Sequence, residues 1–139
     1  VCSSDLTPPG KWAPSDLAIE TAKKIASKTG ARIEVTTDAR AAAKDASVIY
    51  TDVWMSMGDP ESERNEKIAA LSQFAVTPDL MSLTTRDSIF MHCLPAHRGE
   101  EVSAEVLDGP KSVVWREALH RRTTIQALLY HLVRGELKG

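Results

Sequence analysis

Apolar positions along the chain keep switching between a helical and a strand rhythm. Ala18, Ile19, Ala22, Ile25 and Ala26 share one helical face, with Ser15 placed to cap the helix and Gly30 to stop it. Ile33 and Val35 then alternate with Arg32, Glu34 and Thr36, a strand pattern near a sheet edge. Asp38 is placed to cap a short helix through Ala43, and Ser47 to Thr51, built on Val48-Ile49-Tyr50, reads as a buried strand. Asp59-Pro60 opens a polar helix to about Ser72, Phe74-Ala75-Val76 is a short strand, and Pro78 opens a turn carrying Leu80 and Met81. A second buried strand covers Ile89 to Met91, succeeded by a short helix over Ser103 to Leu107 and a turn at Asp108-Gly109-Pro110. Ser112 to Trp115 reads as a strand. The last helix, Ala118 to Arg134, is predicted to bury Ile125, Leu128, Leu129, Leu132 and Val133, and Gly135 ends it.

Strands alternating with helices predict an α/β fold, a Rossmann-like doubly wound parallel sheet with helices on both faces. The pattern opens on the loop Thr7-Pro8-Pro9-Gly10 and a helix, with no strand before them. A sheet of this kind normally begins with strands, so the fold is expected to be truncated on its N-terminal side. Residues 1–6 carry no initiator Met, connect poorly with the rest of the chain, and match one reading frame of a common sequencing adapter. They are expected to be non-native and unstructured, a disordered native terminus being the alternative. Residues 7–139 then form one partial domain.

Composition narrows the function. A net charge of −2, with 26% charged and 42% hydrophobic residues, gives no footprint for nucleic acid and no charged tail. No apolar stretch approaches a membrane span. Two cysteines, Cys2 and Cys93, make no disulfide framework, which favours a reducing, cytoplasmic setting.

The chemistry concentrates in two stretches directly after the buried strands: Asp52-Val53-Trp54-Met55-Ser56-Met57-Gly58 and His92-Cys93-Leu94-Pro95. Open α/β sheets bind ligands at the carboxyl ends of their strands, so both lie at the ligand edge. Asp52 reads either as a turn cap or as a carboxylate aimed at an ammonium group. Ser56-Met57-Gly58 offers a hydroxyl, backbone N–H groups and a permissive glycine, which suits a carboxylate. Together they describe the zwitterionic head of an amino acid. Trp54 reads as packing. Cys93 is either an inert thiol or one facing the ligand. Cys93, His92 and His97 lack the paired-ligand spacing of zinc sites, so no metal and no cofactor are assigned. His97 to Glu101 reads as a turn with a salt-bridged surface, His120 and His131 as surface or packing. Arg121 and Arg122 read as a solvated face or as a phosphate contact.

These two stretches resemble the ornithine carbamoyltransferases. The likeness runs from about Thr7 to the end and is densest from Met91 to Val102. It implies that Asp52, Ser56 and Met57 bind the α-amino and α-carboxylate groups of ornithine, and that Cys93 sits beside its δ-amino group. Ser56-Met57-Gly58 would belong to a loop closing over the ligand. Cys93, Leu94 and Arg121 would meet carbamoyl phosphate, with Arg122 a possible substitute for Arg121. Asp52 and Cys93 would be the catalytic pair. Leu94-Pro95 would be a cis bond. The sequence departs from the family at Leu119-His120, where a Glu and an Asn are usual before the arginine. It also lacks the Ser-Thr-Arg-Thr loop and the His-Pro segment that grip carbamoyl phosphate. The resemblance therefore implies the ornithine-binding portion of a two-domain, trimeric enzyme of arginine metabolism that forms citrulline, with the carbamoyl-phosphate domain absent and the 139 residues inactive alone. Rival readings are a sister enzyme acting on N-acetylornithine or putrescine, and a non-catalytic remnant that binds an amino acid. A thiol-redox module is disfavoured by the absence of a Cys-x-x-Cys.

Overall fold

The computed structural model describes residues 2–6, 10–56 and 58–135. Four strands and six α-helices succeed one another as β1 (Cys2–Leu6), α1 (Asp16–Thr29), β2 (Arg32–Thr36), α2 (Ala39–Ala43), β3 (Val48–Thr51), α3 (Arg64–Leu71), α4 (Pro78–Ser82), β4 (Ile89–His92), α5 (Ala104–Leu107) and α6 (Val114–Val133). Short 3-10 turns, Glu61–Glu63 and Ser72–Phe74, flank α3. All strand pairing is parallel, in two ladders, β1 with β2 and β3 with β4. This is the α/β class the alternating pattern predicts.

Local chemistry explains most boundaries. Ser15, Asp38, Thr77 and Ser103 each accept a bond from a backbone N–H three residues on, capping α1, α2, α4 and α5. Gly30 takes a φ of 75° after α1, where a side chain would be strained.

Four expectations are corrected. Residues 2–6 are a strand rather than an unstructured end, paired from Cys2↔Arg32 to Leu6↔Thr36. Ser-Ser-Asp has little strand preference of its own, and the neighbouring edge of β2 supplies the ladder. Val76 and Ser112 make single bridges, to Val102 and Phe90, instead of strands. After Ser112 the chain turns directly into α6, which starts four residues earlier than predicted. β3 is only half covered, with Val48 48% and Tyr50 55% exposed.

The fourth correction concerns α6. Ile125, Leu128, Leu129, Leu132 and Val133 are all at least 50% exposed, and Val114 is the helix's one buried residue. A helix of this span runs about 30 Å, and only its start is covered, where Val114 is buried.

The core is centred on β4. Phe90 packs among Ala43, Val76, Leu80, Met81, Val102, Val106, Leu107 and Val114, contributed by α2, α4, α5, the start of α6 and the Val76–Val102 bridge. Phe90, Val102 and Val114 are fully buried, which anchors β4 and leaves its carboxyl end as a rigid platform.

Candidate functional site

The pairing of β3 with β4 sets the site. Their register runs Val48↔Ile89 to Thr51↔His92, so the next residues on each strand, Asp52 and Cys93, fall side by side. The Cys93 thiol donates to Asp52 Oδ1 at 2.9 Å, and the same oxygen accepts the Val53 N–H at 2.7 Å. Asp52 thus caps the adjoining turn and faces the thiol.

Burial and the adjacent carboxylate push the Cys93 thiol above its ordinary pKa. A thiolate beside an anion, partly removed from water, is disfavoured. Cys93 is accordingly a neutral donor near pH 7, and it is a free cysteine.

His92 and Cys93 are consecutive, yet their surroundings differ. His92 is fully buried. Its Nδ1 accepts the Leu94 N–H at 2.9 Å, so Nε2 carries the proton and donates to Glu101 Oε1 at 3.1 Å. That Glu101 oxygen also accepts the His97 N–H at 2.6 Å. Glu101 is completely buried rather than part of a salt-bridged surface, which corrects the expectation from the sequence. The surface ion pairs of this segment are Arg98 with Asp108, twice at 2.8 Å, and Arg64 with Glu100. Held by its N–H, Leu94 adopts a φ of 57°, a left-handed conformation rare for a branched residue, and its bond to Pro95 is cis.

α6 closes the back of the site. Glu117, in its first turn, accepts the His92 N–H through Oε2 at 3.1 Å and the Tyr50 hydroxyl through Oε1 at 3.1 Å. Tyr50 is pushed up to about 12 by partial desolvation and then by this bond, so it remains a phenol. One turn on, Arg121 Nη1 donates to the Cys93 carbonyl at 3.1 Å. Arg121 therefore reaches the ligand edge, whereas Arg122 is an exposed side chain of the same helix.

Ser56 lies on a tight turn, where its N–H donates to Asp59 Oδ2 at 3.0 Å and its carbonyl accepts the Asp59 N–H at 3.1 Å. Lys67 donates to the same Asp59 oxygen at 2.7 Å. The lysine, and then the Ser56 N–H, hold the Asp59 carboxyl below the usual range. Gly58 in this turn has a φ of 104°. Met57 lies outside the described residues. Trp54 is buried, as expected for packing.

The structure therefore brings together Asp52, Cys93, Leu94 and Arg121, with Ser56 on the loop just after Asp52. Tyr50, Glu117 and Glu101 were not among the candidates read from the sequence. Tyr50 could have been found, because it stands two residues before Asp52 and so shares its face of β3. Among the described residues, donor atoms of Asp52, His92 and Cys93 lie within 4.8 Å of one another, as do those of His97, Glu100 and Glu101. In the first group both His92 nitrogens are already committed, to Leu94 and Glu101. In the second, Glu100 is paired with Arg64 and Glu101 with His92.

A carboxylate and a thiol at the carboxyl ends of adjacent parallel strands, with an arginine reaching over them, define an α/β ligand-binding domain. Residues 4–132 match the family model for the Asp/Orn binding domain of aspartate/ornithine carbamoyltransferases. The chain belongs to the aspartate/ornithine carbamoyltransferase family. It is 46% identical over 127 residues to a catabolic ornithine carbamoyltransferase of Thermoplasma volcanium, covering 91% of this chain and 41% of that protein. Among solved structures, the ornithine carbamoyltransferase of Pyrococcus furiosus superposes with a TM-score of 0.86 at 44% identity, over 97% of this chain and 42% of its own. The anabolic enzyme of Campylobacter jejuni gives 0.86 at 36% identity, over 96% and 44%. The chain thus spans about two-fifths of the length of the relatives it matches.

Proposed function

We propose that this chain supplies the ornithine-binding half of an ornithine carbamoyltransferase site, and that carbamoyl phosphate is gripped mainly by a further domain. The observation that carries this reading is the Cys93–Asp52 hydrogen bond at the paired strand ends. Asp52 and the Ser56 turn, with Met57, hold the α-amino and α-carboxylate groups of ornithine, and Cys93 faces the δ-amino group. The δ-ammonium, with a pKa near ~10 in water, must lose its proton before nitrogen can attack the carbonyl carbon of carbamoyl phosphate. Cys93 keeps its own proton, so it orients the amine, and Asp52 is the carboxylate available to draw the proton away. Attack forms the new C–N bond, the carbonyl–phosphate C–O bond breaks, and citrulline and phosphate leave. Arg121, together with Leu94 backbone groups, faces the departing phosphate.

No helix among the described residues is long and apolar enough to cross a membrane. A reducing cytoplasm suits the free thiol, and a homotrimer suits the complete protein. The 139 residues alone are expected to form no citrulline, for want of the phosphate-gripping groups. Citrulline formation by the chain joined to a carbamoyl-phosphate domain, compared across ornithine, N-acetylornithine and putrescine, tests the reading. Ornithine should be preferred, since putrescine has no α-groups to hold. Equal turnover of putrescine would overturn the assignment.

A further inference from the structure

At the opposite end of β4, about 13 Å along the strand from Cys93, lies an open basin of about 630 Å³ lined by residues 86–89, 110–113, 115 and 116. Its lining is unbalanced in charge. Arg86, Lys111 and Arg116 face it with Asp87 as the one carboxylate, a surplus of two positive charges. Lys111 is only partly exposed and spends its donors on uncharged oxygens, Ser88 Oγ at 2.8 Å, Thr85 O at 3.1 Å and Thr84 Oγ1 at 3.5 Å. Arg86 and Arg116 are exposed and form no ion pair among the described residues.

Two further observations converge there. α6 begins at this basin, and Val113 at its cap position offers no side-chain acceptor. The first-turn N–H groups of this 20-residue helix therefore receive no side-chain cap at the positive end of its dipole. The Ser112 hydroxyl, also in the lining, is buried and has no hydrogen-bond partner. Trp115, 65% exposed, forms one wall.

We propose that this basin binds a phosphate-class dianion, either free or carried on an organic body that lies against Trp115. Two net positive charges, a free hydroxyl and an uncapped helix start match a doubly charged oxyanion better than a carboxylate. The site stands apart from the Asp52–Cys93 edge and does not depend on the carbamoyl-transfer reading.

Titration of the 139-residue chain, monitored by ³¹P NMR at fixed ionic strength with inorganic phosphate or phenyl phosphate, tests it, with acetate competition as the monoanion control. Saturable phosphate binding should weaken at least about tenfold in the Arg86→Gln/Arg116→Gln double variant. It should persist in Lys23→Gln/Lys24→Gln, which removes the same charge from the exposed face of α1. Both changes are at exposed positions, and circular dichroism checks that the fold is intact. Tighter binding of phenyl phosphate that is lost in Trp115→Ala assigns the organic ester, and equal binding assigns the free anion. Absence of saturable binding, equal binding by the arginine double variant, equally effective acetate, or loss caused instead by Arg121→Gln would each overturn the proposal.

Discussion

Two carboxylates flank the His92-Cys93 strand end, and they are used in opposite ways. Asp52 is exposed and meets a thiol and a turn. Glu101 is fully buried, accepts from the His92 ring and the His97 backbone, and touches no ligand edge. The same functional group thus stands exposed beside a thiol at one place and enclosed against the strand end at the other. What separates the roles is burial, which leaves Asp52 at the surface and encloses Glu101. Within the core Glu101 Oε1 takes both donors while Oε2 has no hydrogen-bond partner, and the left-handed Leu94 is held by the same relay through His92.

Substitutions should pull the two carboxylates apart. The largest effect expected is on activity: Asp52→Asn in the completed enzyme should lower citrulline turnover by about 10²–10⁴-fold, while urea midpoints move little. A stability loss matching that of Glu101 variants would erase the distinction between the two groups. Next comes Glu101→Ala, which strands the His92 Nε2–H and the His97 N–H and leaves a hole. It should cost about 2–4 kcal/mol in denaturant unfolding. Glu101→Gln should recover part of that loss, because its carbonyl can still accept from His92.

A smaller effect tests the thiol. Because Cys93 is neutral near pH 7, its alkylation by iodoacetamide should lag that of free cysteine and rise only at higher pH. Asp52→Asn should speed it, since an adjacent carboxylate raises the thiol's pKa. An unchanged rate would mean that Asp52 does not act on Cys93. The same shift bears on stability. A raised folded pKa makes a contribution that is complete below the ordinary thiol value and lost as pH climbs through the raised one.

The smallest effect is at the Ser56 turn. Lys67→Met should let the Asp59 carboxyl rise toward its ordinary pKa, visible in side-chain NMR titration, without unfolding the chain. The contribution of the lowered carboxyl is present above the usual range and fades as pH falls through the depressed value. No rise would assign the depression to the Ser56 N–H instead.

Much of the scaffold was legible in the residues. Ser15, Asp38, Pro78, Gly30 and Gly135 marked helix limits because capping and left-handed turns depend on local chemistry alone. Val48 to Tyr50 and Ile89 to Met91 were readable as strands, which put Asp52 and Cys93 at strand ends. That the two residues touch was not readable from local pattern, because register is a property of two distant segments. Glu101 was misread for a related reason: His-Arg-Gly-Glu-Glu has the composition of a surface turn, and only the packing of β4 shows which glutamate turns inward. Likewise α6 carries apolar residues at helical spacing, but periodicity records only that a face is apolar, and whether anything covers it depends on distant parts of the fold.

The parallel ladder also fixes which changes in chain length this family member can absorb. Residues 53–88 leave β3 and return to β4 by a long excursion, so added or lost residues at its exposed bends leave the Thr51↔His92 pairing untouched. A single residue inserted within Ile89 to His92 would instead swap the two faces of the strand end. The imidazole would be carried past its buried place and Met91 brought into it, against Glu101. Length drift is therefore cheap between the two halves of the site and ruinous within the four residues that join them.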